Sequence, residues 1–279
     1  MITSEPPRVP YPLGHSNDEV RRLDMQAELL DPTTRRLFED AGVQPGMHVL
    51  DIGCGPGAVS ALVARMVGPQ GRVTGLDIDP SALDTARDRF AAAGLDNVSF
   101  VQGDLAEPAV YEKLDTFDAV VGRFALCWVP NPVETLRRLA DQVRPDGVLA
   151  FHDVAFLPPA AIPQSPTLDA MWGWIAAALR RMYGEYRMGL RLHPMFVAAG
   201  LPEPKLRMDA YMGGGPNWTG YQVMAELVRS LLPNIVEFGI ATAEQVDVDT
   251  LAERLRADIV GGGGSVVGWS FATAWARKP

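Results

Sequence analysis

Strand and helix patterns that alternate at a regular period predict an α/β fold with a mainly parallel sheet. Two further observations support it: a glycine-rich turn sits between the first strand and its helix, and a final strand is reached only after a long helical excursion. Residues 1–14 hold Pro6, Pro7, Pro10 and Pro12, which predicts an extended lead-in that folds over something else. From Ser16 to Glu39, Val20, Leu23, Ala27 and Leu30, then Leu37 and Phe38, predict two short amphipathic helices split at Asp31-Pro32. The apolar run 47–52 is a strand ended by glycines, and 58–67 follows at helical spacing until Gly68-Pro69 stops it. The run 71–78 is a second strand, after which Pro80 opens a helix with Leu83, Ala86 and Phe90 on its core stripe and Gly94 as its stop. Residues 97–103, 117–124 and 147–156 supply three more strands, with helices over 107–115 and 132–144.

Beyond residue 157 the pattern changes. A proline-rich linker over 158–166 leads to Ser165-Pro166, an N-cap and first turn for a helix carrying Leu168, Met171, Ile175 and Leu179. A helix near 190–199 ends at Gly200, and 204–212 alternates like a strand. Thr219 and Gln222 have capping-box spacing before a helix that Pro233 interrupts. Val248, Leu251, Leu255 and Ile259 mark a last amphipathic helix, and the glycines at 261–264 release the chain into the strand 265–278.

Composition narrows the function classes. The 279 residues carry 25 Lys plus Arg against 34 Asp plus Glu, a net charge of -9, which argues against a nucleic-acid partner. The acidity is one-sided: residues 1–157 hold the whole net charge and 158–279 are neutral, with five of the six tryptophans and seven of the eleven methionines. Two cysteines, Cys54 and Cys127, are too few for a disulfide framework or a four-ligand zinc site, so a reducing, cytoplasmic setting and no metal are expected. No run reaches the ~20 apolar residues needed to span a bilayer, so no membrane partner is expected either.

The sharpest motif is VLDIGCGPGAV, residues 49–59. Its glycines at 53, 55 and 57 permit a tight turn and let a ligand approach bare backbone. Gly53, Gly55 and Ala58 also satisfy a dinucleotide pattern, and Asp77, 22 residues after Gly55, suits the ribose of either kind of cofactor. Two residues weigh against a nicotinamide dehydrogenase. Asp51 would repel a pyrophosphate yet suits a cationic sulfonium amino acid, and Asp104 is placed to accept from an exocyclic adenine amine.

With the ordered motifs VLDIGCGPG, GLDIDP, VQGD, FDAVVGRFALCWVPNP and VRPDGVLAFHDV, the first 157 residues resemble class I S-adenosylmethionine-dependent methyltransferases of the small-molecule branch, which includes ubiquinone and menaquinone biosynthesis enzymes. The resemblance implies a Rossmann-like seven-stranded sheet of order 3-2-1-4-5-7-6 with its last strand antiparallel. It also implies an N-terminal helical cap over 1–45, a cofactor-binding core of 46–157 plus 188–212 and 265–279, and helical substrate covers over 158–187 and 213–264. S-adenosylmethionine is the implied cofactor. By the same resemblance Gly53 and Gly55 meet its methionine moiety, with Asp51 and Cys54 in the same loop; Asp77 meets the ribose, Ile78 and Leu105 the adenine faces, Asp104 the adenine amine, and Arg123 lines the pocket. Tyr11 and His15, in YPLGHS ahead of a helix with Arg22 and Gln26, are candidates for closing over the cofactor.

Several members of the family carry a histidine after the fourth strand where this sequence has Trp128, so a base cannot be transferred from it. His152, toward the carboxyl end of the fifth strand, and His193 are the catalytic candidates. Met171, Trp172, Trp174, Met182, Tyr183, Tyr186, Met188, Trp218, Tyr221 and Met224 are expected to divide between core and pocket, about one third facing a ligand, which favours a small, partly apolar or aromatic acceptor. The alternative for these residues is a helix face in a homo-oligomer. The rival to methyl transfer is a protein that binds the cofactor, or a cyclase-like enzyme, without transferring the methyl group.

Overall fold

The computed structural model describes residues 17–279, with side chains of the first helix described from Arg22 onward except Asp24. The elements run α1 (Asn17–Ala41), β1 (His48–Ile52), α2 (Ala58–Val67), β2 (Arg72–Asp77), α3 (Pro80–Ala93), β3 (Val98–Gln102), α4 (Pro108–Tyr111), β4 (Phe117–Arg123), α5 (Pro132–Asp141) and β5 (Val143–Val154). They continue with β6 (Ala160–Ile162), α6 (Pro166–Tyr183), α7 (Leu192–Ala198), β7 (Lys205–Gly213), α8 (Gly220–Glu237), α9 (Ala243–Val246), α10 (Val248–Gly261) and β8 (Ser265–Arg277).

Strands β3, β2, β1, β4 and β5 pair in parallel in that order, and β8 is antiparallel to both β5 and β7. The last strand therefore lies between the fifth strand and the strand near 205, as the resemblance implied. A short strand not foreseen, β6, pairs Ala160–Ile162 with Val267–Ser265. Because β7 also pairs Val266 and Val267, β6 must share the edge of β8 that β5 uses, and it prolongs the line of β5.

The caps follow the local sequence. Asp79 accepts from Ser81 N and Ala82 N ahead of Pro80, and Ser165 accepts from Leu168 N ahead of Pro166. Other expectations fail for tertiary reasons. One helix, α1, runs through Asp31-Pro32, although an interior proline costs ~3 kcal/mol. Both sides of that proline are anchored, Ala27 and Leu30 before it and Leu37, Phe38 and Ala41 after it all being buried. Pro233 likewise lies inside α8. Thr219 already has helical φ and makes no side-chain cap; the capping box forms instead at Thr242 and Gln245. The helix expected over 107–115 is a single turn, α4, and the one expected to reach 144 stops at Asp141 because β5 starts at Val143.

Alternation along the strands sorts the core. On one face Val49, Val73, Ala119, Val121, Val148 and Ala150 pack with α2 and the end of α1; on the other Leu50, Ile52, Val120, Leu149 and Phe151 pack with α5 and α7. A third cluster joins α6, α8 and α10 to Leu30 of α1 and to Val266, Trp269 and Phe271 of β8, forming a helical cover over one end of the sheet. No helix among the described residues is long and apolar enough to cross a membrane.

Candidate active site

At the carboxyl ends of the parallel strands, where open α/β sheets bind ligands, a cavity of about 630 Å³ opens under the cover. Its two ends differ in chemistry. One is built by the turn after β1, the end of β2 and the turn after β3, and carries Asp77, Asp79 and Asp104. The other is walled by aromatic and aliphatic side chains of α6, α8, β7, β8 and the residues following β4 and β5.

The glycine turn explains the polar end. Gly53 has φ 59°, and a Cβ there would stand 2.9 Å from the Cβ of Ala125, so neither the backbone nor the packing admits a side chain. Gly55, at φ 52°, has open space where its Cβ would be and faces the cavity. Its N–H donates to Asp77 Oδ2 at 2.7 Å, and Asp79 N–H donates to Asp77 Oδ1 at 2.9 Å. The carboxylate thus fixes the turn and, with lone pairs remaining on both oxygens, can still accept from a ligand. Burial pushes its pKa up, partly offset by these backbone donors. Ile78 is 60 % exposed and lies on the cavity wall, and Leu105 on the same wall is buried. Asp104 Oδ1 accepts from Ala106 N at 2.8 Å, which orients it at the mouth of the turn after β3.

Gly53, Cys54, Gly55, Asp77, Ile78, Asp104, Leu105 and Arg123 all line this one cavity. Cys54 is a buried free thiol whose pKa burial raises well above the usual range. Arg123 at the end of β4 is 7 % exposed; it donates to Asp31 Oδ1 at 2.9 Å and Thr34 Oγ1 at 3.1 Å, tying α1 to the sheet. Arg22, Leu23, Gln26, Leu29 and Leu30 of α1 complete that wall, with Arg22 donating to Gln26 Oε1 at 3.0 Å. Tyr11 and His15 lie outside the described residues.

Three sequence candidates fall elsewhere. Asp51 turns from the cavity toward α2, where Ser60 Oγ donates to Oδ2 at 2.6 Å; desolvation pushes its pKa up to about 7. His152 is fully buried against α1, with Nδ1 3.0 Å from Thr34 Oγ1 and Nε2 without a protein partner. Burial together with Arg123 holds its pKa down at about 3, and it does not line the cavity, so it is a neutral packing group rather than a base in contact with a ligand. His193 lies on α7, away from the cavity, paired with Glu203 at 3.0 Å.

Of the ten Met and aromatic residues singled out from the sequence, Tyr183, Tyr186 and Met188 line the cavity and the others do not. The sequence reading missed Phe124, Phe156, Tyr211, Trp269 and Phe271, all on its wall. Phe124 and Phe156 were detectable in principle, since each follows the carboxyl end of a central strand.

Residues 43–200, more than half of the chain, match the model of a family described as a methyltransferase domain. The chain belongs to that methyltransferase family. The chain is 36 % identical over 146 residues to aklanonic acid methyltransferase of Streptomyces sp. (strain C5), covering 50 % of the chain and 66 % of that relative. It is 39 % identical over 120 residues to nocamycin O-methyltransferase of Saccharothrix syringae, covering 43 % of the chain and 42 % of the relative. A demethylmenaquinone methyltransferase of Listeria monocytogenes is 35 % identical over 113 residues, 40 % of the chain and 47 % of the relative. The matches thus span from under half to just under two thirds of these relatives' own lengths. Among solved structures, a protein from Bacillus halodurans shares the fold at a TM-score of 0.56 and 18 % identity, covering 88 % of this chain and 97 % of that one.

Proposed function

We propose that this methyltransferase-family protein transfers the methyl group of S-adenosylmethionine to a small, partly apolar or aromatic metabolite in a cytoplasmic setting. The observation that carries the reading is the two-ended cavity, with a glycine cradle and three carboxylates at one end and an apolar, ring-lined lobe at the other. The residues present fit the cofactor: Gly55 would leave bare backbone open to its amino-acid portion, Asp77 would accept from its ribose hydroxyls, and Ile78, Leu105 and Asp104 would hold its adenine. When bound, S-adenosylmethionine supplies a methyl group already activated on a sulfonium.

The chain's own task is then alignment and exclusion of water, which alone account for large rate effects in a displacement reaction. Tyr183, Tyr186, Met188 and Trp128 close the acceptor lobe beside Cys127, and α1 seals the cofactor lobe through the Arg123–Asp31 pair. The pairing of polar cradle and apolar lobe favours a neutral or weakly polar acceptor over a large charged one. The names of the matched relatives each carry a small organic molecule, which supports the same class of acceptor.

The test is incubation of the full chain with S-adenosylmethionine and a panel of phenols, quinols, amines and aromatic acids. Formation of S-adenosylhomocysteine matched one for one by methylated product is the expected outcome. Cofactor binding without transfer to any member, or chemical change of an acceptor without S-adenosylhomocysteine, would overturn it.

A further inference from the structure

Two residues on the cavity wall have a backbone that bulky side chains avoid. Phe124, directly after β4, has φ 56°, and Phe156, two residues after β5, has φ 43°. Left-handed backbone at a phenylalanine persists only where the surroundings enforce it, and such residues gather at ligand sites. Here the enforcing bonds are visible: Phe124 N–H donates to His152 O at 2.8 Å and Phe156 N–H to Ser270 O at 3.1 Å. Each bond fixes the chain where it leaves a strand and sets the direction of the ring.

The two rings belong to one arc of ring contacts, which Phe156 carries on to Tyr186 at 5.9 Å. Phe124 lies 5.5 Å from Phe271 at 34°, Phe271 lies 5.8 Å from Tyr211 at 30°, Tyr211 lies 6.1 Å from Trp269 at 78°, and Trp269 lies 6.0 Å from Phe156 at 57°. All five rings line the cavity, and the first three are only modestly tilted from their neighbours, so this wall is aromatic along its length. Gly268 on β8 makes room for this wall, because a Cβ there would stand 2.2 Å from the Tyr211 ring. Aliphatic side chains would exclude water equally well. A run of rings adds preference for a flat π-system, which stacks on ring faces or meets ring edges.

Resting on the methyl-transfer reading, we infer that Phe124 and Phe156 are the specificity-determining residues of the acceptor lobe, and that the acceptor is a planar, conjugated ring system gripped along the arc to which they belong. Their left-handed backbone is retained because it directs both rings at one ligand.

The experiment measures binding rather than turnover, so its failure is distinct from failure of the transfer assay. Calorimetry on the full chain with bound S-adenosylhomocysteine compares 2-naphthol with its saturated counterpart decahydro-2-naphthol. The expected result is tighter binding of 2-naphthol by about tenfold. Phe124→Leu and Phe156→Leu, which keep apolar bulk but remove a π-face, should each weaken 2-naphthol by about threefold to tenfold. Both should leave decahydro-2-naphthol and S-adenosylhomocysteine within twofold. Equal binding of the two probes, binding of neither, or a ring preference surviving both substitutions would overturn the inference. Thermal melts supply a check that survives a poorly folding variant. Phe124→Gly should melt above Phe124→Ala, since only glycine is at ease at that φ; the reverse order would show that the backbone is not held there against its preference.

Discussion

Replacing Asp77 by asparagine separates the two tasks assigned to that carboxylate. Its oxygens accept from Gly55 N at 2.7 Å and Asp79 N at 2.9 Å, so both backbone donors meet a charged acceptor. Asparagine offers one oxygen and one NH₂, which forces the NH₂ against one of the two N–H groups. One charge-assisted bond, worth ~1.5–3 kcal/mol, is lost, and the other becomes a weaker neutral bond. Against this stands relief of the desolvation that pushes the carboxyl's pKa up. The net loss of folding stability should therefore be about 1–2 kcal/mol. Cofactor binding suffers separately, because an acceptor for a ribose hydroxyl becomes a donor; a further ~1.5–3 kcal/mol lowers affinity by about tenfold to a hundredfold. Urea denaturation of the ligand-free protein reads the first quantity and calorimetry with S-adenosylhomocysteine reads the second. A variant that loses stability but binds S-adenosylhomocysteine within twofold of the parent would make Asp77 a strut of the glycine turn and nothing more.

Three other outcomes follow from the same geometry. Asp153 is buried, Val154 N–H donates to its Oδ1, and desolvation pushes its pKa up to about 7. A carboxyl whose folded pKa is raised stabilises fully below the unfolded pKa and loses that contribution as pH climbs to the folded one. The stability of Asp153→Asn relative to the parent should accordingly rise between pH 4 and pH 7, by about 4 kcal/mol in all; urea midpoints at the two pH values with a constant difference would refute it. Ser165→Ala removes the cap on Leu168 N and the 2.6 Å bond to Asp258 that ties α6 to α10. About 2 kcal/mol should be lost in urea denaturation. Gly53→Ala forces φ 59° on alanine and a 2.9 Å contact on Ala125. That should cost about 2–4 kcal/mol, read as a lowered melting temperature, together with weakened S-adenosylhomocysteine binding.

The parallel half of the fold was legible because its strands are apolar runs set at a regular spacing, with Asp79-Pro80 announcing α3, and in the cover Ser165-Pro166 announces α6 in the same way. The bond between the glycine turn and Asp77 was legible for a related reason: the residues that make it lie within some 25 positions of one another. What escaped depends on contacts between distant positions. Whether Pro32 breaks α1 is decided by what Leu30 and Leu37 pack against. Whether His152 meets a ligand depends on Thr34, 118 residues away. Periodicity marks Trp269 and Phe271 as inward-facing, but inward can mean core or cavity, and only the space left by β7, α8 and the residues after β4 and β5 distinguishes the two.

The stretch matched by the family model begins at residue 43, after α1, and ends at residue 200, before β7. The glycine turn, Asp77, Asp104 and Arg123 fall inside it, whereas Arg22 to Leu30, Tyr211, Val223, Leu227, Leu231, Trp269 and Phe271 fall outside. The shared segment thus houses the cradle, and much of the opposite wall is assembled from flanking pieces that can diverge without disturbing it. A graft of β7 to β8 between two relatives therefore redraws only part of that wall, and moving a preference from one chain to another requires the residues at 124 and 156, inside the shared segment, to move with it.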